Sequence, residues 1–401
     1  MNLRHGLIAG IMAMTGTQAS SIELQEVGSF PAEKPAFLSL NQGKEGTDLY
    51  ITTFKALGSD GVRRVENVGS LLNTQIADIR ADLLSRKITW PNGMKPVPAE
   101  IFGDNYFAVP GGFLVPGKGD GAISIFNPES NDLFRITKKK KGWWYHQVVW
   151  TDMNNDGRLD VLTARAKKGM FGGDGGEMVW LEQPADGLKS VWKEHAMIES
   201  GPDVNFLYED FDKDGVKEIL ATEFFNRRLV LYTKSGETWE QRVIDNKLGY
   251  GFDLSYVDLN KDGKLDILAT NHEDDENAAV LAYEIPKNIT QGSWTKHFLL
   301  KGIETLKKGY KEASPGTAVA FYPEVKNTQG KPWIVVSGDG SMRAHLLVPG
   351  ESDFEYEEKI LVNTGGTVGE IAVADVDDDG YSEIFIPAYD KNKIYIHRVI
   401  P

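Results

Sequence analysis

Asp258-Leu-Asn260-Lys-Asp262-Gly263-Lys-Leu-Asp266 sets oxygen-bearing side chains at positions one, three, five and nine around one glycine. The spacing returns as Asp152, Asn154, Asp156, Gly157, Asp160, as Asp210, Asp212, Asp214, Gly215, Glu218, and as Asp375, Asp377, Asp379, Gly380, Glu383. Alternate side chains of a tight loop share one side, so each copy gathers hard oxygen donors, and glycine permits the left-handed bend that closes the loop. Such a donor set suits Ca2+. An EF-hand is excluded, because its bidentate acid at position twelve is replaced by Thr163, Ala221, Ala269 or Ile386.

Each loop runs into a short apolar stretch (Val161-Leu162, Ile219-Leu220, Ile267-Leu268, Ile384-Phe385) and follows a β-rich run such as Val148-Val149-Trp150 or Leu254-Ser255-Tyr256-Val257. The unit is therefore strand, acid loop, strand. On these residues the chain resembles the FG-GAP or VCBS repeat family, found in integrin α-subunit propellers, some fungal lectins and many secreted microbial proteins. The resemblance implies a β-propeller whose loops bind calcium, and it constrains function far less than fold.

Spacing gives the blade count. The interval from Asp258 to Asp375 is about twice the others, which fits two units with one loop lost, and a mean period of roughly 56 residues predicts seven four-stranded blades, with six as the alternative. Eroded copies account for the rest. Residues 36–51 keep strand, glycine and terminal acid, Ala318–Tyr322 leads through Gly330 into Trp333–Val336, and a blade near Ile101–Arg135 follows from spacing; none of these three should bind calcium. An outer-strand signature, Trp192-x-x-His195-x-x-Ile198, Trp239-x-x-Arg242-x-Ile244, Trp294-x-x-His297-x-Leu299 and the weaker Tyr356-x-x-Lys359-x-Leu361, marks His195 and His297 as structural. The last blade lacks an outer strand after Lys393–Val399, and the alternating run Ile22–Val27 can supply it and remove the open edge. Leu72, Ile76, Ile79 and Leu83 recur at helical spacing, which predicts a helical insertion covering one end of the ring.

Composition limits the partners. The net charge is −14, from 44 Lys and Arg against 58 Asp and Glu, so a nucleic-acid partner is not expected. Cysteine is absent, leaving calcium as the candidate brace in place of disulfides. Residues 1–20 read as a secretory signal peptide: Arg4 and His5, the apolar run Leu7–Met14, and small residues to Ser20. An extracellular monomer, a single propeller domain over residues 21–401, and no transmembrane segment are expected; Asn288-Ile289-Thr290 is a glycan acceptor triplet.

In a propeller the inner strands line a central channel. Five residues before each first aspartate stand Gln147, Asn205, Asp253 and Glu370, each followed by an apolar residue, which predicts a polar ring at the channel mouth. Tyr145, His146 and Asp203 adjoin it, and Arg165, Glu223, Asn226, Asn271, His272, Glu273 and Tyr389 leave second strands at the same end. His146, Asp253 and His272 are the candidate acid–base or metal set, with a merely hydrated polar channel as the plain alternative. Trp143-Trp144-Tyr145-His146 offers aromatic faces either to a sugar ring or to blade packing. Lys138–Lys141 reads as a solvated turn, with contact to an anionic polymer as the alternative. Gly172–Gly176 lacks the ending of a phosphate loop, and no Ser-His-Asp or Cys-His signature is present.

The readings that follow are a secreted protein binding a small molecule or glycan, carbohydrate favoured by analogy with lectins; an enzyme of the sugar lyase or dehydratase kind, or a cyclase acting on an apolar substrate; and an adhesion or matrix protein. Because the repeats diverge at the channel mouth (His146, Val204, Phe252 and Gly369 occupy one repeat position), a single pocket is predicted there, and not one site per blade.

Overall fold

A computed structural model describes residues 22–113, 115, 118–167, 174–307, 309 and 312–401. The signal-peptide segment and the first glycines of Gly172–Gly176 lie outside these residues.

Every second strand of a blade is apolar on both sides, as in Glu218–Glu223, whose residues are all buried. Successive side chains of a strand point to opposite faces, so Ile219 and Ala221 pack toward the preceding blade while Leu220 packs toward the next. A sheet with two apolar faces must be covered twice, and a ring of sheets standing face to face does this for all. Seven sheets do so here, giving a seven-bladed β-propeller. Seven apolar clusters fill the seven gaps between neighbouring blades. Truncating Leu220, which is fully buried, should therefore cost about 2–5 kcal/mol.

Blade 1 is Pro35–Gln42, Thr47–Thr53, Gly61–Val65 and Asp82–Ser85, and blade 2 is Lys95–Pro96, Phe107–Pro110, Ile123–Phe126 and Leu133–Arg135. Blade 3 has an inner strand in two pieces, Trp143–Tyr145 and Val149–Thr151, then Asp160–Lys167, Gly175–Glu182 and Lys193–Ile198. Blade 4 is Phe206–Glu209, Glu218–Glu223, Arg228–Ser235 and Thr238–Asp245; blade 5 is Gly251–Val257, Asp266–Asn271, Ala279–Glu284 and Thr295–Lys301. Blade 6 is Ala318–Phe321, Trp333–Ser337, Arg343–Pro349 and Tyr356–Asn363. In blade 7, Ala372–Ala374, Glu383–Ala388 and Lys393–Ile400 are completed by the N-terminal strand Glu23–Pro31, in register from Glu23 opposite Ile400 to Pro31 opposite Lys393. The predicted closure is thus present, and it pairs the edge that would otherwise be open.

The outer-strand signature has a physical cause. Trp192 and Trp294 each donate their indole N–H to a carbonyl five residues back, Gly187 and Ile289, at 3.1 and 3.3 Å. His195 pairs with Glu182 at 2.7 Å and stacks on Trp180, and His297 pairs with Glu284 at 2.6 Å and stacks on Phe354. Both histidines are therefore packing residues.

The helical insertion is corrected. Between blade 1's third and outer strands only Val68–Leu71 is α-helical and Ile76–Asp78 forms a 3-10 turn, while Leu83 belongs to the outer strand. Leu72, Ile76 and Ile79 are buried because they fill the gap between blades 7 and 1, so they match helical spacing without a continuous helix. Gly69 lies so close to the blade 7 acid loop that a Cβ would fall 1.8 Å from the Val376 carbonyl oxygen.

Candidate functional site

The two ends of the ring carry different chemistry. At the end where inner strands pass to second strands, the four acid loops share one hydrogen-bond pattern. The position-six N–H donates to the position-one carboxylate, from Gly157, Gly215, Gly263 and Gly380 at 2.9, 3.0, 3.1 and 3.0 Å. The position-two N–H donates to the position-nine carboxylate, from Met153, Phe211, Leu259 and Val376 at 2.9 to 3.0 Å. These glycines have φ between 84° and 97° with open space where a Cβ would stand, so conformation and not crowding demands glycine.

The donors are all hard oxygens, and two groups draw together: Asp210, Asp212 and Glu218 in blade 4, and Asp375, Asp377 and Glu383 in blade 7 each bring their oxygens within 4.8 Å of one another. Such clusters could hold a metal ion, and the donor type suits calcium. Asp375 also has a buried carboxylate oxygen with no hydrogen-bond partner among the described residues. Burial pushes Asp160 up, Asp266 to about 6 and Glu218 to about 7. Blade 7 differs. Arg398, the cross-strand neighbour of Glu383, reaches into its loop and ion-pairs Asp379 at 2.7 Å, Asp377 at 3.3 Å and Glu383. Burial nonetheless outweighs the guanidinium at Glu383 and raises it to about 7.

At the opposite end, the predicted polar ring is used largely to join blades. Gln147 of blade 3 exchanges two 2.9 Å hydrogen bonds with the backbone of Phe206 in blade 4. Asn205 donates to the Phe252 carbonyl of blade 5, and Asp253 accepts from the Ala318 N–H of blade 6 at 3.0 Å. Inner strands of neighbouring blades belong to separate sheets, and these side chains satisfy backbone groups of the next blade. Glu370 faces Lys95 at 3.7 Å, and burial, with Glu370 near by, raises Asp253 to about 6.

Other predicted residues are placed deeper. Asp203 is 1% exposed and holds the loop after the second strand of blade 4, accepting from Phe224 and Phe225 N–H at 2.9 and 3.0 Å; burial raises it to about 7. Tyr145 is fully buried, its hydroxyl bonded to Arg165, which forks onto Glu194. Glu223, Asn271 and Glu273 are buried anchors as well. The aromatic run splits: Trp144 and Tyr145 pack inside, His146 sits beside Phe113, and Trp143 lies outward among Lys140, Arg165 and Lys167. No hydrogen bond or ion pair joins His146, Asp253 and His272 to one another among the described residues.

What the mouth presents is an arc of rings that the sequence reading missed. Tyr389 meets Phe54 at 6.0 Å, Phe54 stacks on Trp90 at 4.2 Å, and Trp90 stacks on Phe113 at 5.0 Å. The arc continues through Trp144 to Phe225, Phe224 and Tyr250, with centroid spacings of 6.2, 6.3, 5.5 and 4.9 Å. Phe54, Phe113, Phe224, Phe225, Tyr250 and Tyr389 remain half-exposed. A signal was present: Phe54, Phe224, His272 and Tyr389 each follow directly on a second strand.

The remaining sector, from blades 5 to 7, is charged. His272 stacks on Phe252 at 5.2 Å, its Nδ1–H donates to the Pro315 carbonyl at 3.0 Å, and Asp339 lies 3.8 Å away. A carbonyl can only accept, so the neutral ring keeps its lone pair on Nε2. Burial raises Asp339, against the opposing pull of His272. Lys307 bridges Asp390 at 3.0 Å and Glu312 at 3.3 Å. Burial alone would raise Asp390, but the Thr367 N–H and Lys307 outweigh it and draw it down to about 2.

Neither a protein-family model nor a curated protein matches this sequence. Among solved structures, the soluble aldose sugar dehydrogenase of Escherichia coli is similar at 12% identity, covering 79% of this chain and 98% of that one with a TM-score of 0.44. The N-terminal domain of Nup159 is similar at 11% identity over 96% of this chain and 97% of that one, TM-score 0.49. A glucose dehydrogenase gives 12%, 79%, 98% and 0.43. Likenesses this distant bear on neither substrate nor mechanism.

Proposed function

We propose that this chain is a secreted FG-GAP/VCBS-type propeller, braced by calcium at its acid-loop end, that binds one carbohydrate ligand at the opposite mouth. The observation that carries the reading is the half-exposed aromatic arc of blades 1 to 5 and 7 facing the charged sector of Asp339, Lys307, Glu312 and Asp390. A sugar ring has an apolar C–H face and a rim of hydroxyls, and the two sectors answer those two needs. Asp152, Asn154, Asp156 and Asp160, with their counterparts in blades 4 and 5, would hold the calcium ions, whose chemistry is to neutralise buried carboxylates, while at Asp375, Asp377, Asp379 and Glu383 of blade 7 Arg398 would take the place of the ion. A glycan array with calcium-loaded protein tests the ligand class. Binding that survives Phe113→Ala and Asp339→Asn in the folded protein would remove the mouth from consideration.

A second reading, an eliminating enzyme on the same ligand class, is favoured by His272. Its Nδ1–H is anchored, Nε2 has no hydrogen-bond partner among the described residues and can accept a proton, and Asp339 is placed to stabilise the imidazolium that forms. Product formation lost in His272→Gln, with ligand binding retained, would support turnover; binding with no product from the native protein leaves the first reading.

A further inference from the structure

The chain is acidic, yet one part of its surface gathers cations that form no ion pair among the described residues, although Asp120 and Asp132 lie beside them. Lys87 follows the outer strand of blade 1, Arg135 ends the outer strand of blade 2, and Lys138, Lys139 and Lys141 lie in the connection to blade 3; all are exposed. A cleft between these segments is lined by Lys87, Thr89, Asp120, Ser124, Arg135 and Lys139. Among the described residues none of these five cations has a carboxylate within ion-pair distance, whereas Lys140 pairs with Glu177 and Lys118 with Asp60. Beyond it, Trp143 carries Lys140, Lys167 and Arg165 over its ring at 4.6, 4.9 and 5.0 Å. Like charges from three chain segments repel, and a polyanion relieves the repulsion by replacing several small counterions at once. Thr89 adds a hydroxyl for a hydroxylated partner, and the residue after it is Trp90 of the aromatic arc, so the cleft adjoins the mouth.

We infer that this cleft binds an acidic polysaccharide, a chain of carboxylated or sulfated sugars, along the rim between blades 1, 2 and 3. The choice of a glycan over other polyanions rests on the carbohydrate reading of the mouth; the presence of an anion site does not. A nucleic acid or an anionic membrane covers more surface than one cleft and would meet the acidic remainder of a chain with net charge −14.

Binding of the full chain is measured by calorimetry to heparin, polygalacturonate, neutral dextran and single-stranded DNA of matched length. Heparin, polygalacturonate or both should bind, dextran should not bind at the cleft, and affinity should fall about tenfold or more between roughly 50 and 200 mM salt. Lys87→Glu, Arg135→Glu, Lys138→Glu, Lys139→Glu and Lys141→Glu together should abolish binding, and the same five changed to Gln serve if the reversed variant does not fold. Asp339→Asn should leave polyanion binding unchanged, so failure of the mouth and failure of the cleft are separable. Which acidic glycan binds better decides between sulfate and carboxylate. No binding by the native chain, or native-like binding by the five-site variants, overturns the site. DNA binding as tight as that of either glycan overturns the ligand class.

Discussion

The blade 4 loop and the blade 7 loop present the same ladder of carboxylates in the same backbone, yet they balance its charge differently. In blade 4, Asp210, Asp212 and Glu218 converge, and among the described residues no Lys, Arg or His lies within ion-pair distance of them. In blade 7 the residue across the sheet from Glu383 is Arg398, and its guanidinium lies on three of the carboxylates. A cation supplied by the chain is present whenever the chain folds, while a cation supplied by solvent depends on its concentration. The comparison teaches that an acid motif specifies a need for positive charge without specifying its source. Blade 7 is also the blade that joins the two ends of the described chain, where independence from a dissociable ion protects the closure.

Removing calcium should break this comparison most visibly. A ligand at about a hundred times its Kd contributes about 2.7 kcal/mol per site, so the loops of blades 3, 4 and 5 together should lose several kcal/mol. A thermal melt in chelator should fall by roughly 5 °C or more. An unchanged Tm removes the structural role of calcium.

Arg398→Ala comes next. It leaves Glu383, whose side chain is wholly buried, and Asp377 without their partner, which should cost about 3–5 kcal/mol. The sharper outcome is linkage. The variant should recover more stability from added calcium than the native protein does, and melts across a calcium series read this directly. Equal calcium responses would show that Arg398 does not stand in for the ion.

At the mouth the effects should be smaller and confined to the ligand. Asp339→Asn should weaken carbohydrate binding by about 1–3 kcal/mol, with Tm nearly unchanged, because it removes a charge the fold does not need. A fall in Tm matching the loss of binding would make Asp339 another anchor, like Asp203.

The smallest effect concerns His146, whose pKa burial lowers to about 4. The unfolded chain takes up this proton near pH 6.5 and the folded chain only near 4. Stability from this group is therefore whole above about 6.5 and is lost as pH falls toward 4, at up to about 1.4 kcal/mol per pH unit. His146→Phe should flatten that part of the stability profile, as urea melts between pH 4 and 7 would show; an unaltered slope would mean the ring is already solvated.

Sequence alone predicted seven blades with six left open, the acid loops and the N-terminal strand that closes blade 7, because each rests on local periodicity that recurs wherever a blade meets the same packing problem; the seven sheets settled the count. It also marked His195 and His297 as structural, since repetition across blades reports a shared fold requirement. Spacing misled at Leu72, Ile76 and Ile79, where apolar residues three and four apart serve a gap between blades and not a helix. Gln147, Asn205 and Asp253 were recognisable as an inner polar set, but which backbone each one satisfies depends on the neighbouring blade. The aromatic arc was decided only by tertiary structure. Its members gain their partners through ring closure, as when the Tyr389 hydroxyl donates to the Phe54 carbonyl at 2.7 Å across 335 residues of sequence. Arg398 is of the same kind: its meaning comes from lying across the sheet from Glu383, and a contact between strands leaves no local pattern in the chain.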